Sequence, residues 1–385
     1  MITIIILLIL ATISIQSLTN TGLFKKANEA KEKTQNAAEN QAKTLNEYED
    51  ELNKYISGTA ETPKVKKVAD NLGTVLSTTD NTELQDAYGN KIVVPAGFKI
   101  VSNDDTSKAT TIDKGIVIED ATVDSEGKPT ATNGSQFVWV PVGKIYTDTD
   151  KTEANAKTIE LNRYTFDENG NPIPQGENAI TENNINYQEL ETSNKGNTVA
   201  KSISNFKASV ATNRGYYIGR YEARTTTPRI AAENPLTQIT EKGTDQVYNY
   251  VTQSQAASQS QNMYNSSNFT SDLMNSYAWD TAILFLQNCG TNNKYSRQKS
   301  VNTGSVAQTG TNNQSVKDGQ CNVYDMASNV FELTTETYDN SNTPCVIRGG
   351  LCDSRSISYA SHRGNYGLSY SFSYLSFRPI LYVNV

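Results

Sequence analysis

Three blocks near the C-terminus constrain this chain more than any other feature. Tyr324-Asp325-Met326-Ala327-Ser328-Asn329-Val330-Phe331-Glu332 is followed by Ile347-Arg348-Gly349-Gly350, and that by Ser376-Phe377-Arg378-Pro379. Each is short, and the weight lies in their order and separation. The composition around them is unusual. Hydrophobic residues make up 36% of the 385 positions and charged residues 19%, so Asn, Thr, Ser, Gln, Gly and Tyr fill the rest. A Tyr- and Thr-rich chain with short apolar runs reads as β-rich and loop-rich. The net charge of −7, with no basic run along the sequence, argues against nucleic acid as a partner. The single histidine, His362, excludes metal clusters built on imidazoles.

Four cysteines, Cys289, Cys321, Cys345 and Cys352, show no C-x-x-C spacing, which argues against a zinc ribbon or a thioredoxin-type site. Two disulfides, one or none are open. Cys321 and Cys345 flank the Tyr-Asp-Met block and are the expected pair if the domain is outside the cell. The alternative is four small buried thiols.

The N-terminus opens on an apolar run, Ile2 to Ile15, with no basic region before it and no A-x-A site after it, so a cleaved signal peptide does not fit. Leu18, Phe24, Ala27, Ala30, Thr34, Ala38, Ala42, Leu45, Tyr48, Leu52 and Tyr55 continue it as one helical stripe, with Gly58 as a stop. The expectation is a long helix: a hydrophobic membrane segment over 1–18, an amphipathic stalk over 19–57 and a linker over 58–81. This stretch resembles the N-terminal helix of type IV pilins and pseudopilins. The resemblance implies membrane insertion through residues 1–18 and pilin-like self-assembly. The family's basic leader, Gly cleavage site and early Glu are absent, so a plain anchor with a stalk stays open beside it. Either way the expected location is the cell membrane, single-pass, with the C-terminal domain extracellular.

Candidate strands at Ile92–Pro95, Phe98–Val101 and Gly115–Asp120 define a small β-rich lead-in over 82–135. Four further segments follow. Gln136-Phe137-Val138-Trp139-Val140-Pro141 reads as a strand, Tyr216-Tyr217-Ile218-Gly219-Arg220-Tyr221-Glu222 as another, and Asn275–Gln287 as a helix capped by Ser276, with Ala278, Ala282, Phe285 and Leu286 on one side. The C-terminal blocks are the fourth. Residues 144–205 read as an insertion of long surface loops and 253–268 as a loop or poorly ordered helix. In this order the segments resemble the formylglycine-generating-enzyme (sulfatase-modifying factor) family over 136–385, whose domain is a variant of the C-type-lectin fold. The expected fold class is thus α+β: a long N-terminal α-helix followed by a loop-rich C-type-lectin-like domain.

The family's oxidase holds copper on two cysteines just after the Arg-x-Gly-Gly motif, since two soft thiolates suit Cu(I). Here Gly350 is followed by Leu351-Cys352-Asp353-Ser354, with one cysteine, displaced from the family position. The activity does not carry over, and no catalytic residue is expected. Ser and Asp near His362 do not make a triad, and no phosphate loop or HExxH motif is present. The resemblance does offer a calcium loop, in which Asn329 and Glu332 match ligand positions and Ser328 replaces a Gly. Oxygen donors suit that ion. A Glu332 satisfied inside the core is the competing reading.

Between Leu351 and Leu375 the chain is built of Ser, Tyr, Arg, Gly, Asn and His. Tyr and Arg anchor interfaces, and Ser, Gly and Asn adapt hydrogen bonds around them. Arg355, Tyr359, His362, Arg363, Tyr366, Tyr370 and Tyr374 are therefore the candidate ligand-binding residues, for a protein or glycan. The segment resembles the variable region of retroelement-diversified lectin-fold proteins, with an ordinary Ser/Tyr-rich loop set as the alternative. A structural role as a minor pilin is the other functional expectation.

Overall fold

The computed structural model describes residues 31, 34, 65–101, 109–123, 129–131, 135–182, 185–190, 200–225, 246–301, 305–306, 318–338, 342–352 and 358–385. Residues 1–64 and 65–385 are separate units. Except at Lys31 and Thr34, both helical, the expected membrane segment and stalk lie outside the described residues.

Two expectations are corrected. Among the described residues there are 22 strands and three α-helices, with no long N-terminal helix, so the fold class is a β-rich domain rather than α+β behind a helical stalk. No helix among the described residues is long and apolar enough to cross a membrane. The transmembrane and pilin-like readings, and the single-pass location, lose their support. The physical reason is visible in the chain itself. An apolar run of about 15 residues spans about 22 Å as a helix, against about 30 Å of hydrocarbon.

Two six-stranded sheets carry the domain. The first is antiparallel, in the order Phe269–Leu273, Pro379–Val383, Gly215–Gly219, Gln136–Pro141, Val117–Asp120, Phe98–Ile100. Strands of the lead-in therefore extend the same sheet as the later segments. The second runs Ile180–Glu182, Ile185–Glu189, Phe331–Tyr338, Cys345–Arg348, Arg363–Tyr366. Leu375–Phe377 joins it in parallel on Phe331–Leu333. Two of these strands come from the region read as loops. The polar 144–205 stretch hides them because their buried residues, Ile180 and Tyr187, are single apolar side chains among Asn, Thr and Glu.

Three helices complete the core. Helix α1 (Ile203–Asn213) packs on Gly215–Gly219 and Pro379–Val383. Helix α2 (Gln253–Gln261) lies in the run read as a loop. It forms because Thr252 and Gln255 make a reciprocal capping box, and because Ala256, Ala257 and Ser260 are small enough to bury. Helix α3 (Ser276–Cys289) touches Gln136–Pro141 in one sheet and Phe331–Tyr338 in the other. Every residue from Ser276 to Gln287 is buried, as a helix between two sheets requires. Its cap is Asn275, one residue earlier than expected, whose side chain accepts from Ala278 N at 2.8 Å.

The three C-terminal blocks prove to be joints. A Cβ on Gly350 would lie 1.8 Å from the Ala327 carbonyl oxygen, and one on Gly349 would lie 2.4 Å from that of Met326. The glycine pair lets two backbones touch. Asn329 adopts φ +66°, a left-handed conformation that Asn tolerates better than most residues. Arg378 sits where the chain leaves the second sheet and enters the first. Its guanidinium donates to Glu332 at 2.6 and 3.0 Å, to Gly219 O at 2.9 Å and to Tyr324 O at 2.9 Å. The expected Cys321–Cys345 bridge is absent. None of the four cysteines is in a disulfide; Cys345 is buried in a core with Cys352 and Leu333, whereas Cys321 packs against another core and donates to Asp113 O.

Candidate ligand-binding face

Tyr366 closes the Arg363–Tyr366 strand, and the chain then turns through Gly367, whose carbonyl accepts from Tyr370 N at 3.0 Å. Beyond it, Tyr370, Phe372 and Tyr374 follow at two-residue intervals into a second turn, closed by Leu375 N donating to Phe372 O at 3.1 Å. The rings form one cluster. Centroids lie 5.6 Å apart for Tyr366–Tyr370, 5.3 Å for Tyr370–Phe372, 6.0 Å for Tyr366–Phe372 and 5.2 Å for Phe372–Tyr374. Phe372 and Tyr374 are stacked; the other pairs are tilted or edge-on, as the ring quadrupoles prefer. Tyr370 is the most open at 43% exposure, and the rest are half-buried.

The backbone beneath these rings is tied down. Asn249 Nδ2 donates to Ser373 O at 2.7 Å, Tyr250 N to Phe372 O at 3.1 Å and Phe331 N to Tyr374 O at 3.0 Å. Leu375 and Phe377 continue directly into the second core. Burial, and then the neighbouring Tyr374 and Tyr370 hydroxyls, push Tyr366 up to about 12, so it stays a neutral donor.

The remaining candidates divide. Tyr359 is half-buried and carries the Arg297 guanidinium 3.9 Å from its ring centre, apart from the four-ring cluster. His362 is half-buried rather than solvated, its ring 5.9 Å from that of Phe331. Desolvation, with Arg348 and Arg363 adding to it, lowers its pKa to about 4, so it is neutral near pH 7. Arg355 lies outside the described residues. Arg363 is corrected outright, since it is 4% exposed and fully engaged below the surface.

Arg363 belongs to a buried ion cluster. It donates to Glu336 at 3.1 Å, to Tyr164 O at 3.1 Å, to Glu182 at 3.3 Å and, more closely, to Asp280. Arg348 bonds Asp280 at 2.5 Å and Glu336 at 3.3 Å, and Arg163 bonds Glu336 at 2.7 Å. Burial alone would raise the Glu336 pKa. Arg363, Arg348 and Arg163 outweigh it and hold the carboxylate at about 2. The cluster joins helix α3 to three strands of the second sheet.

The calcium reading does not fit. Both Glu332 oxygens accept from Arg378, and Asn329 Nδ2 donates to Glu222 at 2.7 Å. A fully paired carboxylate facing a guanidinium offers a cation little. Among the described residues no group of three or more His, Cys, Asp or Glu is placed to hold a metal.

Two members of the surface were missed from sequence. Phe372 belongs to the ring cluster but lacks a polar tip; its signal was the two-residue spacing of Tyr370, Phe372 and Tyr374. Arg297 gave no signal, since its meeting with Tyr359 depends on the isolated bridge between Lys299 and Tyr359.

No protein-family model and no curated protein matches this chain. Among solved structures, Treponema denticola variable protein 1 is similar at 13% identity and a TM-score of 0.30, covering 52% of this chain and 97% of that one. A likeness this slight bears on neither fold nor function.

Proposed function

We propose that the domain is a non-catalytic binding module that takes a protein or glycan ligand on the aromatic face of Tyr366, Tyr370, Phe372 and Tyr374. One observation carries this: four rings in mutual contact reach the surface on a backbone bonded to the core beneath them. Such rings offer large contact area with little rotamer entropy to lose, and their tied backbone lowers the ordering cost further. The Ser residues between them supply adaptable hydrogen bonds. The domain is read as a relative of the formylglycine-generating enzymes without their chemistry. Cys352, its one cysteine near the family's copper position, is buried, in no disulfide, and belongs to the core of Leu333, Ile347 and Leu351.

The test is retention on a glycan array and on a displayed peptide library, with wild type and Tyr370→Ala side by side. Tyr370→Ala should lower retention at least tenfold while shifting the melting temperature by less than about 2 °C. Retention that survives both this change and Tyr374→Ala would place the binding surface elsewhere.

A further inference from the structure

We infer that a second site, remote in sequence from the aromatic face, binds a small oxyanion-bearing ligand, a carboxylate or a phosphate, through Lys91, Lys144, Lys151 and Arg214. A cleft of about 290 Å³ opens between the Lys91–Val94 and Gly143–Tyr146 strands, with Lys91, Lys144 and Arg214 in its lining. That is near the lower end of the volumes that hold small ligands, roughly 300–1,000 Å³. A fourth cation joins them. The Lys151 ammonium lies over Gly89, 2.6 Å from where a Cβ on that glycine would stand. The chain as a whole carries a charge of −7, so this gathering of cations runs against the average.

Two of the four have no carboxylate partner. Lys91 pairs with Glu83 at 2.8 Å and Lys144 pairs with Glu153, but neither Lys151 nor Arg214 makes an ion pair or side-chain hydrogen bond among the described residues. The same two hold unusual backbones, with φ +49° at Lys151 and +63° at Arg214. Arg214 occupies the left-handed position that ends helix α1, where glycine is the default. An arginine there accepts strain that glycine would avoid, and delivers its guanidinium beside Gly143. The floor is rigid: Asn90 Nδ2 donates to Tyr146 O at 2.7 Å and its Oδ1 accepts from Tyr146 N at 2.8 Å, joining the two walls. A guanidinium and ammonium groups around a preformed cleft match a carboxylate or phosphate group. The size suits a ligand no larger than an acidic monosaccharide.

Calorimetric titration of the full chain at low ionic strength tests this with three probes: glucuronate, inorganic phosphate and the neutral sugar glucose. Glucuronate or phosphate should bind, more weakly as salt rises, and glucose should not; whichever anion binds tighter identifies the headgroup. Arg214→Gly and Lys151→Gln should each weaken binding at least tenfold. Arg214→Gly should also leave the melting temperature unchanged or raised, because glycine relieves the left-handed backbone. Absence of binding by both anions, equal binding of glucose, or unchanged affinity in both variants would overturn the site. None of the aromatic-face residues takes part, so the two readings fail independently.

Discussion

At the residue scale, His362 is a neutral imidazole in a fold that does not welcome its charge. The unfolded group titrates near 6.5 and the folded one at about 4. Between those values the unfolded state binds more protons. Stability contributed by the neutral ring is therefore present above pH 6.5, falls as pH drops toward 4 and levels off below. The full effect is at most about 3 kcal/mol. Buried Asp318 works the other way. Burial first, and then Asp325, raise its pKa to about 7, so its favourable protonated form is lost as pH rises from about 4 through 7. Urea titrations at pH 5 and pH 8 separate the two. His362→Gln should gain stability relative to wild type at pH 5. Asp318→Asn should gain at pH 8, since an amide can still accept from Ala327 N and turn its donor toward Tyr295. Unchanged pH slopes in both would show that neither group is desolvated. Gly350→Ala tests sterics: its methyl would meet the Ala327 carbonyl at 1.8 Å, and a loss of about 3 kcal/mol or failure to fold is expected.

At the element scale, the Arg163–Arg348–Arg363 cluster fastens helix α3 to the second sheet through Asp280 and Glu336. Removing one member leaves uncompensated buried charge. Glu336→Leu should cost about 3–5 kcal/mol by chemical denaturation. A loss under 1 kcal/mol would mean the cluster is hydrated. Because Glu336 is held at about 2, its contribution is present above the unfolded value of 4.5 and fades as pH falls through 2. Elements also mark where local reading worked. The Gln136–Pro141 strand and the α3 helix were legible because an apolar run and a 3.6-residue stripe are properties of neighbours in sequence. Helix α2 was not, because Gln253–Gln261 has almost no apolar side to recognise and forms on a capping box and small buried residues.

At the scale of the whole molecule, the cysteines report whether two separate cores exist. Desolvation pushes Cys289 and Cys345 up to about 12, so their thiols stay protonated at pH 8. A disulfide-exchanging dye should label the folded chain slowly and all four thiols rapidly in denaturant. Immediate labelling of the folded chain would contradict this packing.

Composition, turn glycines and short apolar runs were enough to establish a β-rich, charge-poor chain with an aromatic, serine-rich C-terminal segment. They also marked the closing blocks, because a glycine pair and a joint arginine leave a local trace. Only the tertiary structure decided which of those side chains face solvent. Tyr370 stands open while Arg363, seven residues away in sequence, is buried. The same holds for Arg163 and Glu336, 173 residues apart, and for the cations around Gly89 and Gly143. Long-range packing of strands, a helix end and connections brings them together, and that packing follows from how buried faces fit one another, which the order of residues in one element does not specify.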